Sequence, residues 1–258
     1  MFCQPSTIFQ DNNSHKQNPQ KIVDGQDSCQ LSIIIPTLNE EKYLPKLLKS
    51  IKKQNFSDYE IIIADAGSKD KTIEVAKTEG VKLVKGGLPS CGRNRGAKFA
   101  KAGLLLFLDA DVFLPEFFLQ KSLREFKERK LAIASFQLVP IESRFARIFF
   151  NIFYNFPIRL LERFLPHAAM GILIKKELFF KLGGFDESIK LAEDHDLARR
   201  AKKIARFGII KRVKLFVSIR RFRKDGWIRT ALKYFFCELH MIFIGPVRTG
   251  IFRYKLYQ

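Results

Sequence analysis

Hydrophobic positions along this chain come in solid blocks separated by stretches of helical spacing. Leu31-Ser32-Ile33-Ile34-Ile35 is a β-branched run stopped by Pro36, which predicts a buried strand. Asn39 is then placed to cap a helix whose apolar positions Leu44, Leu47, Leu48 and Ile51 share one face. A strand over Glu60 to Ala64, a helix from about Lys69 to Thr78 with Ser68 as its cap, and a short strand over Val81 to Val84 follow. The alternation continues through a helix near Cys91 to Ala102, the run Leu104 to Leu108, a helix near Pro115 to Arg129, and a strand over Leu131 to Leu138. Solid apolar strands separated by helices imply an α/β domain with a mostly parallel sheet covered on both faces. Ligands bind such sheets beyond the carboxyl ends of the strands.

The second half is less regular. It predicts an aromatic-rich helix from about Ser143 to Phe164, a strand over Ala168 to Ile174, a helix over Lys175 to Leu182 and a Gly183-Gly184 turn. A helix from about Asp194 to Phe207 stopped by Gly208, and a strand over Ile209 to Val217, complete it. Phe145, Phe149, Ile152, Phe153 and Phe156 form a stripe at helical spacing, which either packs into a core or lies on a membrane interface or lipid-linked acceptor. Trp227 to Ile244 poses the same choice.

Charge alters the picture at one end. The formal net charge of the 258 residues is +20, and from Leu197 to Gln258 only Asp225 and Glu238 oppose the many Lys and Arg. That basic surface suits nucleic acid, anionic lipid or a diphosphate substrate equally. Residues 1–29 are polar and rich in Gln and Asn, so they read as a flexible tail with no secretory signal. The four cysteines are scattered, which favours a reducing, cytoplasmic setting. No apolar stretch reaches the ~20 residues a membrane span needs. The organisation expected is a tail over 1–29, a catalytic domain over 30–225, and a basic amphipathic helical segment over 226–258.

Asp109-Ala110-Asp111 ends the most apolar strand, where two carboxylates one residue apart converge on a hard cation such as Mg²⁺ or Mn²⁺. Taken alone, the triplet is equally a solvated turn. Further motifs follow in order: Pro36-Thr37-Leu38-Asn39-Glu40, Asp65-Ala66-Gly67-Ser68-Lys69-Asp70, Arg93-Asn94-Arg95-Gly96, Gly183-Gly184-Phe185-Asp186-Glu187 and Glu193-Asp194. Together they make residues 31 to 225 resemble the family 2 glycosyltransferases of the GT-A fold. This resemblance implies an inverting, non-processive transfer of one sugar from a UDP- or GDP-sugar to an acceptor hydroxyl on a lipid-linked or glycan molecule, assisted by a divalent metal.

The resemblance also implies roles. Residues matching Pro36, Thr37 and Glu40 line the nucleoside pocket, and the one matching Asp65 accepts a hydrogen bond from the base. Arg93 approaches base or diphosphate, Asp109 contacts ribose or sugar and helps hold the metal, and Asp111 holds the metal. Asp194 matches the general base, His195 beside it faces outward, Asp186 borders the acceptor, and Arg220 and Arg221 reach the diphosphate. Two departures matter. Ala66 stands where many relatives carry a second aspartate, and the Gln-x-x-Arg-Trp signature of processive synthases is missing, which favours single addition. Two other readings compete: a catalytically silent GT-A-like binding protein, which the presence of Asp109, Asp111 and Asp194 disfavours, and a nucleic-acid-binding protein, for which charge is the sole support. A peripheral position at the inner face of the cell membrane is the expected location.

Overall fold

The computed structural model describes residues 29–249. The expected tail therefore lies almost wholly outside the described residues, as does the end of the 226–258 segment. In chain order the elements are β1 (Leu31–Thr37), α1 (Leu44–Lys52), β2 (Tyr59–Asp65), α2 (Thr72–Thr78), β3 (Lys82–Lys85), α3 (Pro89–Lys98), β4 (Leu104–Leu108), β5 (Val112–Phe113), α4 (Phe118–Glu128) and β6 (Ile133–Pro140). Then come α5 (Arg144–Phe150), a π-helical turn (Asn151–Asn155), α6 (Phe156–Leu160), β7 (Gly171–Lys175), α7 (Lys176–Lys181), α8 (Glu193–Lys202), β8 (Phe207–Val217), α9 (Arg220–Asp225) and α10 (Trp227–Phe243).

All eight strands form one sheet in the order β3-β2-β1-β4-β7-β6-β8-β5. Strands β1, β2, β3 and β4 run parallel, β6 and β8 run parallel to each other, and β7 is antiparallel to both β4 and β6. The apolar runs explain the order: β1, β2 and β4 are buried through their centres, whereas β3, with Lys82 and Lys85 exposed, occupies an edge. Alternate residues serve opposite faces. Ile33 and Ile35 pack with Leu44, Leu47, Leu48 and Ile51 of α1 and with Phe118 and Phe126 of α4. Ile34 and Ile62 pack instead with Ala97 of α3, Phe179 of α7 and Leu197 of α8. Gly96 lets α3 approach β1, since a Cβ there would lie 2.5 Å from Ile34 Cγ2.

Several local expectations fail for a common reason. Neither Asn39 nor Ser68 caps a helix: α1 begins at Leu44 and α2 at Thr72, without side-chain cap bonds. Asn39 takes a left-handed conformation (φ 55°), accepts from Lys69 N at 2.8 Å and donates its own N–H to Ser68 Oγ at 2.9 Å. Glu40 N donates to Thr72 Oγ1 and Glu41 N to Asp70 Oδ2, so the loops after β1 and β2 are cross-braced over both their lengths. Polar residues with good capping chemistry here bond a neighbouring loop. Gly208 does not stop a helix either; α8 ends at Lys202 and Gly208 lies inside β8.

The aromatic helix is continuous from Arg144 to Leu160 but changes its winding part-way, through the π-helical turn. Asn155 is buried, its Oδ1 accepting from Leu138 N at 2.9 Å and its Nδ2 donating to Leu138 O at 2.8 Å. Both bonds draw this turn toward β6, where the backbone widens into the π-helical turn, a feature frequent at functional sites. The expectation of a core for the stripe does not hold: Phe145, Ile152, Phe153 and Phe156 are each more than half exposed, and only Phe149 is partly buried. Among the described residues no helix is long and apolar enough to cross a membrane.

Candidate active site

The carboxyl ends of β1 and β4, the turn before β7, the first turn of α8 and the start of α9 converge on one cavity of about 1530 Å³. Pro36, Thr37, Glu40, Arg93, Asp109, Asp111, Asp194, Arg220 and Arg221 all line it. Three acidic groups from distant parts of the chain thus share a single space. Asp65 does not line it. Both of its oxygens are held from within the chain, Oδ2 by Thr37 Oγ1 (3.0 Å) and Ser68 Oγ (2.5 Å), and Oδ1 by the N–H groups of Gly67 (2.9 Å) and Ser68 (2.8 Å).

Two arginines organise the carboxylates. Arg93, 4% exposed on α3, places Nη2 2.6 Å from Asp109 Oδ1 and Nη1 2.8 Å from Glu193 Oε1. The same Nη1 lies 3.2 Å from Asp194 Oδ1, an ion pair without hydrogen-bond alignment, and the guanidinium sits 5.3 Å from the Phe185 ring centroid. Arg220 grips Glu40 with two bonds of 2.8 and 2.6 Å, pairs through Nε with Asp111 Oδ2 at 2.8 Å, and stacks on Tyr43. Asp109, Glu193 and Asp194 around Arg93, with Glu40 and Asp111 around Arg220, leave the acidic side in excess. Arg221 donates to Tyr234 Oη on α10.

Burial sets the proton affinities here. Asp194 is pushed up to about 8, mainly by desolvation, with Arg93 opposing the rise and Glu193 and Asp109 adding to it. Asp111 is pushed up to about 6 by burial, against the pull of Arg220. Glu40 is raised for the same reason, and Arg93 and Arg220 are both raised, their carboxylate partners outweighing burial.

The sequence also misplaced a neighbour and missed others. His195 does not face outward: its ring stacks on His167 with centroids 3.7 Å apart, and its Nδ1 lies 3.0 Å from Glu238 Oε2 of α10. Arg199 holds the other Glu238 oxygen at 2.6 Å, and these partners pull the Glu238 carboxyl down to about 2. Tyr154, in the π-helical turn, stacks edge-on against His167. Met170, with φ 59°, accepts from Asp109 N through its carbonyl at 3.1 Å, and its backbone lies close enough to Asp194 to favour the ionised carboxylate. Asp186 lies outside the cavity, paired with Arg248 and Ser188. The Gly183-Gly184 turn is a docking feature: Asn94 on α3 clamps the backbone of Phe185 from both sides, and a Cβ on Gly184 would meet Asn94 Oδ1 at 2.6 Å.

Residues 32–185 match the model of the glycosyl transferase family 2. The chain belongs to that family. An uncharacterized glycosyltransferase from Haemophilus influenzae is 33% identical over 181 residues, covering 64% of this chain and 60% of that protein. The chain therefore spans somewhat more than half of that relative's length. Among solved structures, the mannosyltransferase PcManGT from Pyrobaculum calidifontis, in complex with GDP-Man and Mn²⁺, superposes with a TM-score of 0.65 at 19% identity, covering 83% of this chain and 64% of that one. S. aureus TarS 1-349 in complex with UDP-GlcNAc gives 0.63 at 20% identity, covering 88% of this chain and 76% of its own. The GT-A fold expected of this family 2 member is therefore the fold observed.

Proposed function

We propose that this family 2 member transfers a single sugar from a UDP- or GDP-sugar to an acceptor hydroxyl, on a lipid-linked or glycan molecule, with inversion and the help of Mg²⁺ or Mn²⁺. The observation that carries the reading is the shared cavity, where Asp109 and Asp111, from the turn between β4 and β5, meet Asp194 of α8. Neighbouring folds in complex with GDP-Man and Mn²⁺ or with UDP-GlcNAc support it.

Pro36 and Thr37 form the nucleoside wall, backed by Asp65, which acts through Thr37 and the Gly67–Ser68 backbone unless the base displaces one of these donors. The acidic excess around Arg93 and Arg220 fits a divalent cation, with Asp109 and Asp111 as its protein ligands. When bound, that cation supplies Lewis-acid neutralisation of the departing diphosphate. Arg220 and Arg221 face the same space and provide guanidinium donors for phosphate oxygens. As the acceptor oxygen forms its bond to the anomeric carbon, the bond from that carbon to the diphosphate oxygen breaks, and Asp194 takes the hydroxyl proton. A carboxylate with its pKa lifted toward neutrality is well matched to this task. Arg93, 3.2 Å from Asp194 Oδ1, orients that carboxylate and, with the nearby Met170 backbone, favours its ionised form.

The residues past 225 act as a basic amphipathic attachment to the 30–225 catalytic domain. Phe164, Ile228 and Phe243 are each more than three-quarters exposed, with Arg163, Arg229 and Lys233 close to them in sequence. That combination supports peripheral contact with an anionic membrane, on its cytoplasmic face. The test is a panel of UDP- and GDP-sugars incubated with the full chain, with and without Mn²⁺ or Mg²⁺. Metal-dependent release of nucleoside diphosphate from one donor is expected; no release from any donor with either metal would favour the silent binding protein instead.

A further inference from the structure

The cavity changes character along its length. At one end stand the arginines and carboxylates; beyond Asp194 the walls become Phe149, Ile152, Phe153, Leu161, Leu232 and Phe235, contributed by the helix α5–α6 and by α10. Ile152, Phe153, Leu232 and Phe235 are about half exposed or more, so side chains that line the cavity also belong to the exposed apolar surface of both helices. An apolar channel opening onto an apolar surface excludes water along its whole length only when an apolar chain fills it.

The polar junction of the two ends holds a second clue. Tyr154 Oη is buried and has no hydrogen-bond partner, in a residue that lines the cavity beside His167. Asp194 Oδ1 is likewise buried without one. Buried hydroxyls ordinarily have partners, and leaving one without a bond is costly. Tyr154 Oη is thus an unbonded donor and Asp194 Oδ1 an acceptor held only by its ion pair with Arg93, in two residues that both line the cavity, and a side-chain turn that presents them to one hydroxyl at the head of an apolar chain would give each a hydrogen bond.

We propose that the acceptor is a membrane lipid alcohol, its chain lying in the trough between α5–α6 and α10 and its hydroxyl set between Tyr154 Oη and Asp194. This rests on the transferase reading above and narrows its acceptor class. A glycan would find few polar partners in the trough. The hydroxyl proton passes to Asp194, the lipid oxygen bonds to the anomeric carbon, and the nucleoside diphosphate leaves. Tyr154 is a positioning residue that donates to the lipid oxygen.

Binding tests the proposal apart from turnover. The full chain is titrated with a fluorescent dodecanol, which is then competed with straight-chain alcohols from octanol to tetradecanol, and in parallel with maltotetraose. Saturable one-to-one binding is expected, tightening about two- to fourfold for each added methylene. Phe153→Ser combined with Leu232→Ser should weaken it at least tenfold, while Phe180→Ser, at an exposed position of α7 away from the cavity, should not change it. Tyr154→Phe should remove most of the preference for dodecanol over its methyl ether. Affinity independent of chain length, absence of saturable binding, capture by vesicles alone, or tighter binding of maltotetraose would each overturn the proposal. Nucleoside diphosphate release measured on the same preparation separates the two readings: release without alcohol binding sinks the lipid acceptor alone, and absence of release from every donor sinks both.

Discussion

Residues 31–140 and residues 141–249 solve opposite problems with the same kinds of side chain. In the first stretch most large apolar residues are buried or half-buried between sheet and helices, and the polar residues after β1 and β2 bond one another across the loops. In the second, Phe145, Phe153, Phe156, Phe164, Phe235 and Phe243 stand more than half exposed, while Asn155, Asp194 and His167 are drawn inside. The two stretches share one sheet, since β7 and β8 of the second pair with β4 and β6 of the first. The second leaves a large apolar surface exposed, and of its buried polar groups Ser218 lines the cavity whereas Asn155 anchors the backbone of β6.

Substitutions can break that contrast, and the largest effect is expected at the carboxylates. Asp111→Asn, or removal of divalent metal by EDTA, should lower sugar transfer on the order of 10²- to 10³-fold, since metal assistance contributes several kcal/mol; the check is that added Mn²⁺, but not monovalent salt, restores the EDTA-treated wild type and does not restore Asp111→Asn. Arg93→Lys comes next. It leaves Asp109, Glu193 and Asp194 without the planar fork that reaches them all, and the loss of a buried pair of this kind costs about 3 kcal/mol in urea unfolding.

The metal-free chain should also show an inverted pH response. Because burial raises the folded pKa of Asp194 to about 8, the folded protein keeps a proton that the unfolded chain has released above about pH 4. Stability from this group therefore falls as pH rises between about 4 and 8, by about 1 kcal/mol per pH unit, and Asp194→Asn should flatten that slope. Smallest of all, Phe164→Ser with Phe243→Ser, two exposed positions outside the cavity lining, should shift unfolding by less than about 0.5 kcal/mol and leave donor-only release unchanged. The same pair should reduce sedimentation with anionic vesicles severalfold.

Much of this was legible in the sequence because solid apolar runs admit few readings. The runs ending at Ile35 and Leu108 marked strands whose carboxyl ends border the cavity, and the Asp109-Ala110-Asp111 and Glu193-Asp194 motifs pointed to carboxylates that line it. What stayed hidden depends on long-range geometry. Nothing local reveals that β7 runs antiparallel between β4 and β6, or that Met170 turns its peptide toward both Asp109 and Asp194. His195 read as an outward residue because its partners, His167 and Glu238, lie 28 and 43 positions away. Arg93 was legible as a site residue, but its service to carboxylates in the turn after β4 and on α8 was not. The aromatic stripe misled in a more instructive way, since helical spacing reports that a face is apolar and does not report what covers it.

One comparison of rates bears on the central claim more directly than any other: transfer by wild type and by Asp194→Asn, with donor and Mn²⁺ affinities measured alongside. The account predicts a fall of ~10²- to 10⁴-fold in the transfer step with donor and metal affinities within about threefold of wild type. A variant that transfers sugar within tenfold of the wild-type rate would contradict it.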